Sequence, residues 1–297
     1  MNNTIIAADI GGCYRMYLAI TTELVQTAAD IHGTSNVATA ALGRTITAAG
    51  LMGLMLQDER STLTLQIKGD GPASEILASA DASGRVRGYI ADPDIELPLK
   101  GPGKLDVGGA VGKGTLTVIK DLKLKEPYIG RIDLVSGEIA EDLTQYFMRS
   151  EQQPTAVALG VRIGTDGRVE NAGGLILQLL PDATDVCVDR LERCIATLDN
   201  LTDHIGLVNT PTELLEHLLV SMPPIHRPRV LEERNIEWYC GCSAERMEQA
   251  LMSIGKHDLK QLIEEDGSAE IICHFCLEEY MFEREKLEEL LAEVERG

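Results

Sequence analysis

Tyr239-Cys240-Gly241-Cys242-Ser243 is answered 30 residues after Cys242 by Cys273-His274-Phe275-Cys276, so that a C-x-C and a C-x-x-C bracket one short segment. Four thiols in two tight pairs suit tetrahedral zinc. Each short loop can present two sulfurs about 2.3 Å from one ion, and a folded segment between them brings the loops together. Thiolate softness favours zinc over magnesium or calcium. The intervening sequence fits: Ser243 is placed to cap a helix over 243–252, Gly255 ends it, a second short helix covers 259–264, and Asp266-Gly267 turns into a strand over 270–274. Three other readings stay open from these residues alone. One is a static clip for a module of about 65 residues that is short of core. Another is a thioredoxin-like redox pair at Cys273 and Cys276, which needs a βαβ context and leaves Cys240 and Cys242 unexplained. In the third, His274 replaces one cysteine as a ligand.

Outward from this segment, the chain has 297 residues, 44% hydrophobic and 25% charged, which excludes disorder and collagen-like repeats. Its length suggests about two domains. Twenty-seven basic against 47 acidic residues give a net charge of −20. Such a balance repels phosphate backbones and anionic lipid, so without a local basic patch neither nucleic acid nor membrane is an expected partner. The N-terminus lacks a basic region and meets Asp9 before any apolar run reaches signal-peptide length. No stretch approaches the ~20 apolar residues of a membrane span. A cytoplasmic protein is expected, and in that reducing compartment seven cysteines are not a disulfide framework.

Residues 232–297 hold 18 acids and 7 bases. The preceding stretch 221–229, with three prolines, reads as a linker and not a core element. Before it, an amphipathic helix over 186–201 carries Val188, Leu191, Ile195 and Leu198, with Cys187, Cys194 and Leu201 widening the stripe. A second helix starts at Thr210-Pro211-Thr212-Glu213, a capping box with proline at the first helical position, and carries Leu214, Leu215, Leu218 and Leu219. Residues 1–180 alternate strand and helix patterns, with strands over 63–68, 86–90, 115–119, 157–163 and 175–179, and a hairpin turn at Asp81-Ala82-Ser83-Gly84. A long alanine-rich helix over 35–56 contains Gly43, Gly50 and Gly53, for which close packing of another backbone is the expected reason. The reading is an α+β protein: an N-terminal α/β domain with largely antiparallel sheet (1–180), a helical linker (181–231) and a small C-terminal zinc-binding α+β module (232–297).

Two glycine-rich stretches fall short of nucleotide motifs. Gly108-Gly109-Ala110-Val111-Gly112-Lys113-Gly114-Thr115 has its first glycine one residue too close and glycine in place of the Ser/Thr after lysine, and reads as a glycine-rich hairpin. Asp9-Ile10-Gly11-Gly12 resembles the first phosphate loop of sugar kinases but lacks the hydroxyl that usually follows. There is no nucleophile elbow and no His-Glu-x-x-His helix, and Glu138, Glu141 and Asp142 read as an acidic first turn. Catalysis is not expected. Cys13, Cys187 and Cys194 read as small buried apolar residues.

The C-x-C with C-x-x-C resembles the C-terminal site of the redox-regulated holdase chaperones, the heat-shock protein 33 family. The segments Ala41-Leu42-Gly43-Arg44, Leu51-Met52-Gly53, Lys68-Gly69-Asp70-Gly71-Pro72, Glu126-Pro127-Tyr128 with Gly130, Ser136-Gly137-Glu138-Ile139-Ala140-Glu141-Asp142-Leu143, Tyr146-Phe147 and Ser150-Glu151-Gln152-Gln153-Pro154 are similar to that family's. The resemblance implies a non-enzymatic, ATP-independent chaperone, inactive when reduced with one zinc per chain on Cys240, Cys242, Cys273 and Cys276. Oxidation would form disulfides between neighbours, Cys240 with Cys242 and Cys273 with Cys276, expel zinc and unfold the module and linker. The implied partners are unfolding client proteins, with a homodimer as the active form. The apolar faces of the two linker helices are the expected client surface. A constitutive zinc-stapled binding module is the alternative.

Overall fold

A computed structural model of the chain describes residues 2–196 and 200–296. Strands β1 (Thr4–Asp9) and β2 (Tyr14–Ile20) lead into helices α1 (Thr22–His32) and α2 (Asn36–Gly53). Then come β3 (Thr62–Gly69), β4 (Glu75–Asp81), β5 (Arg85–Ile90), the short helix α3 (Val107–Val111), β6 (Gly114–Asp121), β7 (Tyr128–Asp133), α4 (Ile139–Arg149), β8 (Thr155–Ile163) and β9 (Val169–Leu179). Helices α5 (Asp185–Ile195), α6 (Leu201–Ile205) and α7 (Pro211–Leu218) and a 3-10 turn (Pro224–His226) precede β10 (Pro228–Arg234) and β11 (Glu237–Trp238). Last are α8 (Ala244–Ser253), α9 (Lys256–Glu265), β12 (Ser268–Ile272), β13 (Glu279–Glu283) and α10 (Arg284–Arg296). Contacts divide the chain into two units, Met1–Tyr239 and Cys240–Gly297.

In the first unit, β10-β1-β2-β9-β8 form one sheet and β11-β5-β4-β3-β6-β7 another, antiparallel throughout except for the β11–β5 pair. The α+β class with largely antiparallel sheet is thus what the chain adopts. Helix α2 packs against strands of both sheets and is buried along nearly its whole length, which its many small and apolar residues and its single charged side chain, Arg44, paired with Glu138, permit. The Ser35 hydroxyl caps it by accepting from the Ala38 N–H at 3.4 Å. Of its three glycines only Gly53 faces a backbone, where an added Cβ would lie 2.7 Å from the Asp81 carbonyl oxygen. At Gly43 and Gly50 the space is taken by side chains, Val25 and Ile236, so the expected backbone approach holds at one position of three.

Strand alternation splits the five-stranded sheet's residues between two cores. Tyr17, Ala19 and Ile176 join the cluster around α2, whereas Ile5, Ala7, Met16, Leu18, Leu175 and Leu177 pack against residues of the 181–231 segment. That segment differs from expectation in two places. The helix read over 186–201 ends at Ile195, and Leu201 begins a new one. The stretch 221–229, expected to lie outside any core element, contributes the first residues of β10, so the boundary expected at 231/232 falls inside a strand. Proline is compatible with this because Pro228 opens an edge strand, where a missing donor breaks no interior ladder.

The glycine-rich stretch at 108–115 is also corrected. It begins in the short helix α3, capped by the Asp106 carboxylate accepting from Gly109 N–H at 3.0 Å, and not in a hairpin. The Lys113 N–H, which a phosphate loop would turn toward its ligand, donates to the Asp70 carboxylate at 2.6 Å. A protein carboxylate already holds that donor.

The second unit is small. Leu251, Leu259, Ile263, Ala269, Phe282, Leu287 and Leu290 form its buried apolar cluster, drawn from α8, α9, the β12–β13 hairpin and α10.

Candidate metal centre

Two chain reversals make the centre. The first lies between Tyr239 and α8, where Cys240 and Cys242 precede a helix capped by the Ser243 hydroxyl, which accepts from Arg246 N–H at 3.4 Å. Cys242 therefore sits beside a helix N-terminus, whose partial positive charge favours a thiolate. The second is the turn of the β12–β13 hairpin, which carries Cys273 and Cys276. Cys273 N–H donates to the Glu278 carbonyl at 2.9 Å, and Leu277 N–H donates to the Cys273 carbonyl at 2.8 Å. Leu277 takes a left-handed φ of 58°, which a non-glycine residue adopts only when its surroundings impose it.

Ligand atoms of Cys240, Cys242, Cys273 and Cys276 all lie within 4.8 Å of one another. Cys240 Sγ is 3.7 Å from Cys273 Sγ, and Cys242 Sγ is 3.3 Å from Cys276 Sγ. Sulfurs at the corners of a zinc tetrahedron with bonds of about 2.3 Å are separated by about 3.8 Å. A disulfide needs about 2.05 Å. The sulfurs are unbonded and close enough together to hold an ion, and the donor set fits zinc. Cys273 is buried, and the other three are half-buried.

Electrostatics make the same point. Burial, reinforced by the neighbouring thiols, pushes the Cys276 thiol well up. Burial also raises Cys240. At Cys242 burial opposes ionisation too, yet hydrogen bonds from the Tyr280 hydroxyl and the other three thiols hold it below its ordinary value. Tyr280 Oη donates to Cys242 Sγ at 3.1 Å, and that bond keeps the phenol protonated to unusually high pH. Thiolates packed this closely repel one another, and a bound cation would offset that repulsion. Tyr280 was not among the expected site residues, because only the hairpin register of β13 brings it over the first loop.

The expected client-surface residues lie in the first unit. Leu191, Leu214, Leu215, Leu218 and Leu219 are buried on the five-stranded sheet, while Val188 and Ile195 are half-buried. Leu198 lies outside the described residues. Cys13, Cys187 and Cys194 are all buried, in the same cluster. Among the described residues no helix is long and apolar enough to cross a membrane.

Comparison with known proteins places these features in a family. A family model described as Hsp33 protein matches residues 5–283. The chain is 44% identical to the 33 kDa chaperonin of Alkaliphilus oremlandii, over 99% of this chain and 98% of that protein. It is 46% identical to the 33 kDa chaperonin of Ruminiclostridium cellulolyticum, over 95% of each. The crystal structure of the 33 kDa chaperonin (heat shock protein 33 homolog) from Thermotoga maritima superposes with a TM-score of 0.88 at 34% identity, covering 100% of both chains. The mixed α+β fold, the four-cysteine cluster and these similarities thus meet in one assignment: the chain belongs to the Hsp33 family of chaperones.

Proposed function

We propose that this chaperone is an ATP-independent, redox-switched holdase of the cytoplasm, inactive while Cys240, Cys242, Cys273 and Cys276 are reduced around one zinc ion. The observation that carries the reading is that four thiols, close enough together to hold a metal, lie in a unit with only seven buried apolar core residues among the described residues. Zinc, when bound, supplies the cross-link and keeps the sulfurs as thiolates, the form that oxidants attack. Two equivalents of peroxide accept four electrons from the four sulfurs, giving two disulfides and water. We assign these to the neighbours, Cys240 with Cys242 and Cys273 with Cys276. The ligand set is then gone, and a unit with so small a core unfolds. Its acidic excess adds self-repulsion that favours the open state.

Opening has a path into the first unit through edge strands alone. Going back from Cys240, Tyr239 follows β11, two residues long, which is preceded by β10, and each is the outermost strand of its sheet. Peeling them breaks no interior ladder. Behind β10 stand the 3-10 turn, α7, α6 and α5, whose buried leucines, with Val188 and Ile195, would form an apolar surface for unfolding clients once released. We assign the active state to a homodimer of opened chains. No catalytic residue is needed.

The test is zinc per chain and suppression of client aggregation, measured before and after peroxide. Loss of one zinc with four thiols, together with a gain of holding, is the expected result. The burial of the leucines on the sheet favours the other reading, a permanent zinc clip. Retention of zinc and unchanged holding under oxidant would establish that reading in place of ours.

A further inference from the structure

The turn Asp9-Ile10-Gly11-Gly12-Cys13, which resembled a phosphate loop in sequence, wraps its own carboxylate. Asp9 ends β1 with its side chain fully excluded from solvent. Its Oδ2 accepts from Cys13 N–H at 3.1 Å, while Oδ1 is buried with no hydrogen-bond partner among the described residues. Three other donors converge there. Cys13 is 2% and Cys187 0% exposed, Cys187 in the first turn of α5, and His226 closes the 3-10 turn before β10. His226 Nδ1 is 3.5 Å from Asp9 Oδ2. The His226 backbone is anchored in turn, its carbonyl accepting from Tyr14 Oη at 2.7 Å. Ligand atoms of Asp9, Cys13, Cys187 and His226 all lie within 4.8 Å of one another.

We propose that Asp9, Cys13, Cys187 and His226 form a second site for a zinc-class divalent cation, in the first unit and independent of the four-cysteine centre. The donor set is one carboxylate, two thiolates and one imidazole, each of them a zinc ligand, and the number suits a closed tetrahedral site. Nitrogen and oxygen ligands about 2.0–2.1 Å from an ion are about 3.3 Å apart at tetrahedral corners, close to the Asp9–His226 separation. The buried Asp9 Oδ1 supplies a lone pair that no donor among the described residues engages. Binding displaces a proton from each thiol to solvent, and the loaded site carries one net negative charge. Magnesium and calcium, which take oxygen ligands, are excluded by the sulfurs.

Position gives the site its consequence. Asp9 and Cys13 flank the β1–β2 turn, Cys187 starts the helical segment and His226 ends it. One ion would tie both ends of that segment to the sheet on which its leucines are buried. This consequence rests on the holdase reading, whereas the site does not.

The test uses the full reduced chain, loaded with zinc sulfate, desalted and analysed for metal, beside a Cys13→Ala/Cys187→Ala variant and an Asp9→Asn variant, each checked for folding by circular dichroism. Two zinc ions per chain are expected in the parent and one in the double variant. Asp9→Asn, which preserves shape, should bind the second zinc at least about tenfold more weakly, the lower end of what even outer-shell partners contribute. Cobalt(II) at this site should show the spectrum of two thiolate ligands, distinct from that of four. One zinc in the parent and the same single zinc in folded Cys13→Ala/Cys187→Ala overturns the proposal. One zinc that disappears in that variant supports this site and instead refutes metal at the four-cysteine centre.

Discussion

Asn3 is a latch on the last structured residues before the metal module, and its removal should loosen them by a calculable amount. Its carboxamide holds both backbone groups of Ile236: Nδ2 donates to the Ile236 carbonyl at 2.8 Å, and Oδ1 accepts from Ile236 N–H at 2.8 Å. Ile236 itself is 1% exposed and fills the space over Gly50. Asn3→Ala deletes, besides the bond its Oδ1 accepts from the neighbouring Thr4 Oγ1 at 2.9 Å, the two hydrogen bonds to Ile236, each worth about 0.5–1.5 kcal/mol net, for a loss at Ile236 of about 1–3 kcal/mol. At about 1.4 kcal/mol per decade, opening of 236–239 should become roughly 5- to 150-fold more frequent. The assay is hydrogen exchange in the reduced protein at Glu237 and Tyr239, whose N–H groups donate to the Gly84 and Val86 carbonyls at 3.0 and 2.9 Å. The single tryptophan, Trp238, edge-on to His32 with centroids 6.1 Å apart, gives a fluorescence readout of the same event. On the holdase reading, Asn3→Ala also needs less peroxide to activate. Unchanged exchange at Glu237 and Tyr239 in a folded Asn3→Ala protein would refute the latch, and with it the edge-strand path.

Other perturbations test separate parts of the account. Tyr280→Phe removes the hydroxyl bonded to Cys242 and should weaken zinc retention about 10- to 100-fold in chelator competition, whereas unaltered retention would show that the hydroxyl does not support the centre. Leu191→Ser with Leu215→Ser, at positions 1% and 4% exposed, should leave zinc per chain unchanged and weaken client holding after oxidation, read by light scattering; full holding would remove the linker helices as the client surface. Burial raises the Asp142 carboxyl above its ordinary value, against the N–H groups of Val135 and Ser136 that donate to it. Because the folded value exceeds the unfolded one, the contribution of this one group to stability is fully present below about pH 3.9 and is lost as pH climbs through the raised value. Asp142→Asn should flatten that part of the urea-midpoint profile, and an unchanged slope would show that the carboxyl does not titrate differently on folding.

Local features were readable in the sequence because they depend on neighbours a few residues apart. Thr210 and Ser243 are the caps of α7 and α8, as read, and the C-x-C and C-x-x-C spacings place two sulfurs on each of two turns whatever surrounds them. Alternation over 175–179, the end of β9, was visible, but which face of that sheet meets α2 and which meets the 181–231 segment depends on packing, not on period. Proline content made 221–229 read as a linker, because a missing donor is a local property, whereas Pro228 sits on a sheet edge where no donor is required. Cys13 and Cys187 were correctly placed inside as small apolar residues, yet nothing near either one in sequence points to the other, or to Asp9 and His226. Asp9 and His226 stand 217 positions apart. Only the antiparallel return of β10 along β1, and the burial of α5 on the same sheet, bring those four side chains together. Short-range spacing therefore determined the four-cysteine cluster, and tertiary packing alone decided the grouping of Asp9, Cys13, Cys187 and His226.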